Sequence, residues 1–599
     1  MARIEILRDP PQRELVTIAR ELYVSPVIAS LLWQRGFREP EAARLYLKAG
    51  LEAIGDPFDF HDMERACERL RTAIRKRERI LIHGDYDVDG LTGTVLLVSL
   101  LQMLGAEVES FIPARADGYS FGQASIDAIR DGGFAVCVSV DNGTAAIDEV
   151  QAIQDLGCDV IITDHHHTGP TCAKAYATLN PRLENSGYRF PHLAGCAVAF
   201  KLAWGLAASF SPSRAVSREL EDFLIDAASL VALGSVADVV PLVGENRSLV
   251  RLGLEALLHS KNPGIRALID VLGPGKARLN AEDISFRLGP RLNAAGRMGH
   301  ASLAVRLLCA KSYGEARTLA AEIENLNRER QRVEGEITRA ALEQIAADPD
   351  LADRRVLVAA GEGWHLGVVG IVAARLADVH HRPSLVLSLA GEVARGSGRS
   401  MHGCDLKNLL DHASTRLHRY GGHAAAVGLE LPRSELAAFR DELEACARAL
   451  LPPSRRHVAR ADAKVPFAHW TSAELKKLAE LRPFGAGNPT PRFLASDVRF
   501  APGMRRVGPA ARGLAFTAIH EGVSLRALAP SLGERVRDFS GSGKWHIIYT
   551  PQLSQRGDGA PIEVLVHAIE AVDDCEVLEI DTDAGTKPVL SEPGSRSGR

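Results

Sequence analysis
The period of apolar positions changes several times along the chain, and each change marks an element. Between Arg79 and about residue 168, short apolar runs alternate with segments whose apolar residues recur every three or four positions. Ile80–Ile82, Val108–Ile112, Ala135–Val140 and Asp159–Thr163 read as strands, with helices Thr92–Leu104, Ser125–Arg130 and Ala146–Leu156 between them. Such alternation predicts a parallel sheet with crossover helices. A helical region follows, in which Leu224–Val240 is largely apolar. Leu319, Ile323, Leu326, Val333, Ile337 and Ala341 predict one long helix over 314–346, a strap between two lobes. Strands at Arg355–Ala359 and Ser384–Leu389 open a smaller second lobe. From about 490 to 570 short β-like runs dominate: Leu514–Ile519, Val523–Leu528, Trp545–Tyr549 and Ile562–Val566. Residues 1–55 read as a helical lead-in, and the Pro-, Gly- and Ser-rich end as disordered. The division that results is 1–55, 56–313, 314–350, 351–452, 453–575 and a tail over 576–599.

Composition adds little to this picture. A chain of 599 residues is too long for one core, and at roughly 150 residues per domain it holds about four. Nine cysteines without a CxxC pair argue against structural zinc and against a disulfide framework. No run of eighteen apolar residues occurs and the N-terminus lacks a cleavable apolar segment, so a cytoplasmic protein without membrane contact is expected. A net charge of −4 does not advertise a nucleic-acid partner, although a balanced total can conceal a basic groove.

The candidate chemistry sits where strands stop. The first strand runs into His83-Gly84-Asp85-Tyr86-Asp87-Val88-Asp89-Gly90, the third into Asp141-Asn142-Gly143, and the fourth into Asp164-His165-His166-His167. In an open parallel sheet the carboxyl ends of strands share one edge, where ligand sites lie. Like charges so close repel unless a cation sits among them. Oxygen-rich clusters with an imidazole suit Mg²⁺ or Mn²⁺ better than zinc. A solvated acidic loop is the alternative. Asp238, an acid among the hydrophobes of Leu230–Val240, is a helix cap, an arginine partner or a fourth ligand position.

These residues carry a family resemblance. HGDYDVDG, VDNGT, the Asp-His-His of DHHHTGP, and GSVADVVPL resemble, in order, the four motifs of the DHH phosphoesterase superfamily. PRLNAAGRMG (290–299), WHLGVVGIVAAR (364–375), ARGSGRS (394–400), GGHAAAVGL (421–429) and RPFGAGNPTPRF (482–493) resemble its RecJ branch. The resemblance implies an exonuclease specific for single-stranded DNA, working 5′→3′ with two divalent ions, Mn²⁺ or Mg²⁺. It implies release of 5′-mononucleotides in DNA repair and recombination. The implied fold is α/β: a parallel-sheet DHH domain joined by the long helix to a smaller α/β DHHA1 domain, then a C-terminal β-barrel OB-fold. A monomer is expected, working on single-stranded DNA with a 5′ end beside a helicase and a single-strand-binding protein.

On the same resemblance the metal ligands are His83, Asp85, Asp87, Asp89, Asp141, His165, His166 and Asp238. Asp85 is either a ligand or an orienter of one, and Asp141 suits a bridge between two ions. Asp164 is expected to orient a histidine, and His167 to be a loop residue. His166, Asp141 and Arg297 are the catalytic candidates, with metal-activated water attacking the phosphodiester in line. Arginine forks match phosphates bidentately, which makes Arg115, Arg287, Arg291 and Arg297, with Asn293, candidate phosphate contacts. Ser397, Gly398, Arg399, Ser400 and His423 are assigned with Arg115 to the phosphate-binding side of the site, around the 5′ end. Arg328, Arg330 and Arg332 on the strap read as a solvated face. In the barrel Arg505, Arg506, Arg512, Lys544, Trp545 and Tyr549 are candidates for gripping a strand. Two other readings stand beside this one. Short-oligonucleotide phosphodiesterases resemble the two lobes but not the OB region, and a catalytically dead scaffold would be expected to have lost ligands.

Overall fold
In the computed structural model, the described residues are 2–581 apart from 115–119, 168, 170, 274–277, 402–403, 452–457, 509–510, 540–542 and 555–561. The chain begins with a strand, β1 (Ala2–Leu7), followed by helices Gln12–Leu22, Pro26–Gln34 and Pro40–Lys48. The expected helical lead-in is therefore corrected in two ways. Ile4 and Ile6 alternate with polar residues and are buried, as in a strand. The helices bury Ile18, Ile28 and Leu31, and the connection between the last two buries Phe37, in one core with Phe467, Trp470 and Phe493, far along the chain.

The first lobe is built on β2 (Ile80–His83), β3 (Val108–Phe111), β4 (Val136–Val140), β5 (Asp159–Thr163) and β6 (Ala177–Leu179). All five are parallel, in the order β3-β2-β4-β5-β6. β2 and β4 are buried throughout, which a near-continuous apolar run allows when helices cover both faces. Because β2, β4 and β5 are neighbours, their carboxyl ends emerge side by side. The helix after β2 starts at Val88, earlier than the apolar period suggests, with Asp87 as its N-cap. What reads as an acidic loop is thus partly a helix start.

The strap is Tyr313–Ala347, 35 residues and about 52 Å long. Ala316, Leu319 and Ile323 belong to the first-lobe core. Ile337, Ala341 and Ile345 pack on Val368, Val372 and Leu376 of helix Leu366–His380 in the second lobe. That lobe holds β7 (Leu357–Glu362), β8 (Ser384–Ala390), β9 (Val393–Arg399), β10 (Arg419–His423) and β11 (Ala426–Pro432), in the order β10-β11-β9-β8-β7.

Beyond it come β12 (Val458–Ala461), β13 (Ala463–Lys464), β14 (Phe493–Phe500), β15 (Arg505–Val507), β16 (Gly513–His520), β17 (Val523–Ala529), β18 (Trp545–Leu553), β19 (Ile562–Ala571) and β20 (Cys575–Ile580). β14, β18, β19, β17 and β16 close into a barrel through the β14–β16 pairing. β12 and β20 flank β1 in parallel. The start of the expected disordered tail is therefore a strand, because β1 supplies a ladder from the opposite end of the sequence. Residues 582–599 lie outside the described residues. Among the described residues no single helix is long and apolar enough to cross a membrane, and all nine cysteines are free.

Candidate metal centre
The segments that follow β2, β4 and β5 converge on one point. Asp85, Asp87 and Asp141 form one group of potential ligand atoms lying within 4.8 Å of one another; Asp141, His165 and His166 form a second, and Asp89, His165 and Asp238 a third. Asp141 and His165 each belong to two groups, so the three adjoin. Every candidate ligand except His83 is gathered there. The His83 Nε2 lies 2.9 Å from Ser125 Oγ and its ring packs on Phe121 at 4.3 Å. Burial pushes its pKa down to about 4, leaving a neutral core imidazole.

Backbone amides hold the acids in place. Asp87 Oδ1 accepts from the amides of Asp89 (2.9 Å) and Gly90 (3.2 Å). Asp89 accepts from Gly195 N at 2.7 Å and Cys196 N at 3.0 Å, seated on the N-terminus of helix Gly195–Ala208, where the dipole favours negative charge. A Cβ on Gly195 would lie 2.6 Å from Asp141 Cβ, so only glycine lets that helix approach. Asp141 itself has φ 65°, and Val239, next to the helix-capping Asp238, has φ 62°. A β-branched residue in the left-handed region is strained, as is common beside functional groups.

Asp164 is in none of the three groups. It accepts from the amides of His165 (2.7 Å), His166 (3.1 Å) and Thr144 (3.0 Å) and lies 2.9 Å from His166 Nδ1. Burial works against its charge, yet the His166 hydrogen bond holds Asp164 below the usual carboxylate range. In return, and again against burial, Asp164 raises the pKa of His166. Asp164 is thus the orienter of a site histidine, and Asp164→Asn should lower Mn²⁺ affinity or turnover about 10–100-fold, measured by titration and by initial rates. His167 lies 2.7 Å from an Arg182 nitrogen, outside the three groups.

The metal-free acids resist ionisation. Burial raises Asp141 well above its ordinary value, reinforced by Asp89, Asp87, Asp238 and Asp85. Burial and then Asp89 raise Asp87, and burial with Asp89 and Asp87 pushes Asp238 up to about 8. Burial also pushes His165 down to about 4, so it is neutral and able to ligate. Hard oxygen donors with neutral imidazole fit Mn²⁺ or Mg²⁺. A folded value of about 8 for Asp238 lies above the unfolded carboxylate value of about 4. Its stabilising contribution is therefore complete below about pH 4 and lost as pH rises toward 8. The metal-free protein should lose thermal stability across that window. Added Mn²⁺, which competes with protons, should raise Tm more at alkaline than at mildly acidic pH. A shift that shrinks as pH rises would count against this donor set.

The phosphate candidates divide. Arg115 lies outside the described residues. Arg287 donates to Leu272 O at 2.7 Å and lies 3.6 Å from Asp283, and Arg291 pairs with Glu324 of the strap at 2.8 Å. Both tie neighbouring helices together in this structure. Asn293 Oδ1 accepts from Val88 N at 3.2 Å and so steadies the helix start beside Asp87. Arg297 donates to Gly367 O of the second lobe at 3.1 Å. A Cβ on Gly370 would lie 3.1 Å from an Arg399 nitrogen and 3.5 Å from Ser397 Cβ, which puts both side chains against helix Leu366–His380. Gly398 is buried under Val427 and Leu406. The Ser400 hydroxyl donates to Cys404 O at 2.6 Å, an internal bond, and exposed His423 accepts from Ala425 N at 3.3 Å.

Arg330 on the strap is buried and bonded to Asn327 and Glu334, not solvated as expected. In the barrel Arg505, Arg506 and Arg512 are exposed, Lys544 pairs with Asp497 at 2.9 Å, and half-buried Trp545 stacks on Phe500 at 5.8 Å. Tyr549 is a correction: it is buried, donates to Val465 O and accepts from Trp470 Nε1, both at 2.8 Å. On β18 the side chains of Ile547 and Tyr549 belong to the barrel core.

Sequence reasoning missed what the 482–493 segment does. Leu242 N donates to Ala486 O at 2.8 Å, Gly485 and Gly487 press on Leu242 and Pro241, and buried Asn488 bonds Leu481 O, Pro483 O and Arg35. This clasp grips the segment just after Asp238. Only its richness in Gly, Pro and Asn hinted at a fixed turn.

The sequence matches the family models for the DHH family N-terminal domain over 79–235, the DHHA1 domain over 353–449 and the RecJ OB domain over 461–566. It is similar to the single-stranded-DNA-specific exonuclease RecJ of Bacillus subtilis (strain 168), 37% identical over 536 residues, which span 89% of this chain and 66% of that protein. It is similar to the same-named enzyme of Dickeya dadantii (strain 3937), 35% identical over 488 residues, 79% of this chain and 83% of that one. The crystal structure of RecJ from Thermus thermophilus with Mn²⁺ superposes with a TM-score of 0.80 at 30% identity, covering 96% of this chain and 80% of that one. Its Mg²⁺ complex gives 0.74 at 29% identity, covering 96% and 79%.

Proposed function
The chain belongs to the RecJ family of single-stranded-DNA-specific exonucleases, and from that premise we propose that it hydrolyses single-stranded DNA from the 5′ end, releasing 5′-mononucleotides. The observation that carries the reading is the convergence of Asp85, Asp87, Asp89, Asp141, His165, His166 and Asp238 in three adjoining groups. These residues would hold two divalent ions, Mn²⁺ or Mg²⁺. When bound, such ions lower the pKa of water and neutralise charge growing on phosphoryl oxygens. The chain's own contribution is to fix the donors. Asp89 is pinned by two amides, Asp87 caps its helix, and Asp164 aims His166. His166 has two alternative roles: as a ligand it would be neutral, and where it does not ligate, its pKa raised by Asp164 against the pull of burial suits it to give a proton or a positive charge to the leaving oxygen. Arg297 ties the two lobes at the site, and the packing of Ser397 and Arg399 against helix Leu366–His380 supports their holding a terminal phosphate there. The barrel, with Arg505, Arg506 and Arg512 exposed, supports a long substrate over a dinucleotide. A role in repair and recombination in the cytoplasm, as a monomer supplied by a helicase and a single-strand-binding protein, accords with a strand that must first be unpaired.

The test is nucleotide release from single-stranded DNA labelled at either end. With Mn²⁺, 5′ label should appear as mononucleotide while 3′ label stays on a shortening strand. EDTA should stop both, and a blunt duplex should resist. Release that persists in EDTA, or that begins at the 3′ end, would overturn the reading.

A further inference from the structure
Phe286 is 77% exposed, the most exposed phenylalanine side chain among the large hydrophobics of the described surface. It sits in a π-helical turn, Ile284–Leu288, that runs directly into helix Gly289–Arg297. Local π turns are frequent at functional sites because they re-aim a side chain. The turn is firmly anchored. Ile284 and Leu288 are buried in the first-lobe core, and Arg287 donates to Leu272 O at 2.7 Å. The ring is therefore presented to solvent by a rigid base.

Its position relative to the metal centre gives it meaning. Phe286, Pro290, Asn293 and Arg297 are each partly or fully exposed and follow one another at steps of four, three and four, so they fall on one stripe, flanked by the likewise accessible Ser285, Arg287 and Arg291. Asn293 on that stripe holds Val88 beside Asp87, and Gly296 presses against Tyr86 O within the first acidic motif. Arg297 at the far end touches the second lobe through Gly367. The stripe thus leads from Asn293, beside the metal centre, outward to an exposed phenyl face seven residues or about 10 Å away. A strand with one end in the centre and lying along the stripe meets that face beyond its second nucleotide. We propose that Phe286 is a stacking platform for a nucleobase of the unpaired strand, on the 3′ side of the bond being cut. This rests on the exonuclease reading above. A phenyl face accepts any base, so the subsite adds grip without sequence preference, and it excludes a paired base whose faces are already stacked.

The experiment compares Phe286→Ala and Phe286→Trp with the unaltered chain, using Mn²⁺ and two substrates, a long oligodeoxythymidylate and a dinucleotide too short to reach the ring. In Phe286→Ala the KM for the long strand should rise about tenfold, and Phe286→Trp should restore it. Dinucleotide kinetics and the Mn²⁺-induced rise in Tm should not change. A scan of single abasic sites along the long strand should find one position that weakens binding to the unaltered chain and not to Phe286→Ala. An unchanged KM for the long strand, an equal rise for the dinucleotide, or no such position would overturn the subsite while leaving the nuclease reading intact. Failure of the unaltered chain to degrade the long strand would instead sink the nuclease reading.

Discussion

Asp141→Asn is expected to abolish hydrolysis while making the metal-free protein more stable to heat. Asp141 is shared by two of the three ligand groups, so its loss removes a donor from both at once. Metal-ion catalysis is worth several kcal/mol of transition-state stabilisation, so kcat should fall on the order of a thousandfold or more. The stability effect has the opposite sign. Burial, with Asp89, Asp87, Asp238 and Asp85 around it, raises the Asp141 pKa well above its ordinary value. The unfolded chain ionises that carboxyl freely, so at neutral and alkaline pH the folded state is penalised. Asparagine keeps the shape and removes the charge. Tm in EDTA should therefore rise, more at alkaline than at acidic pH, while the Mn²⁺-induced increase in Tm disappears. Retained turnover, or a fall in Tm in EDTA at every pH, would contradict a cation-holding cluster. Calorimetry and initial rates on the same preparation decide it.

Arg247→Ala should lower stability by roughly 3–5 kcal/mol. Arg247 is fully buried in helix Gly244–His259 of the first lobe. It donates to Tyr46 O at 3.0 Å, Leu481 O at 2.8 Å and Glu480 O at 2.8 Å, with its guanidinium 3.9 Å from the Tyr46 ring centroid. One side chain thus joins the first lobe to the N-terminal helices and to the segment preceding the barrel. Truncation leaves three carbonyl groups without their charged donor and opens a cavity. Because these hydrogen bonds tie the lobe to the approach of the barrel, limited proteolysis should cut the 450–490 region faster than in the unaltered chain. Urea denaturation gives the magnitude. A loss below about 1 kcal/mol, no more than one ordinary hydrogen bond, would mean that the barrel is held mainly by other groups.

The two variants probe parts of the molecule that differ in how far they could be read from sequence. Asp85, Asp87, Asp89, Asp141, His165, His166 and Asp238 announce themselves because uncompensated acid at several strand ends is improbable unless something binds it. Parallel topology then puts neighbouring strand ends at one edge. His83, in the same motif, is indistinguishable from them in sequence, yet it bonds Ser125 within the lobe. The arginines behave similarly. Residue type alone does not reveal which internal partners an arginine also serves, and only the fold brings Leu272 O, Asp283 and Glu324 within reach of Arg287 and Arg291. Tyr549 looks like a stacking ring until its hydroxyl is seen between Trp470 and Val465 in the barrel core.

By itself the sequence determined the elements and their chemistry: the alternation of strand and helix, the strap, the acids and imidazoles at strand ends, and so the kind of ion they suit. These follow from local period and from the short-range cost of crowding like charges. Tertiary structure alone decided who meets whom across long separations. β1 lies between β12 and β20, the 485–488 turn grips the segment after Asp238, and Arg247 reaches both Tyr46 and Leu481. Backbone carbonyls and ladder edges are the partners in each of those meetings. Every residue carries them, so no residue type in the sequence marks which of them will be used.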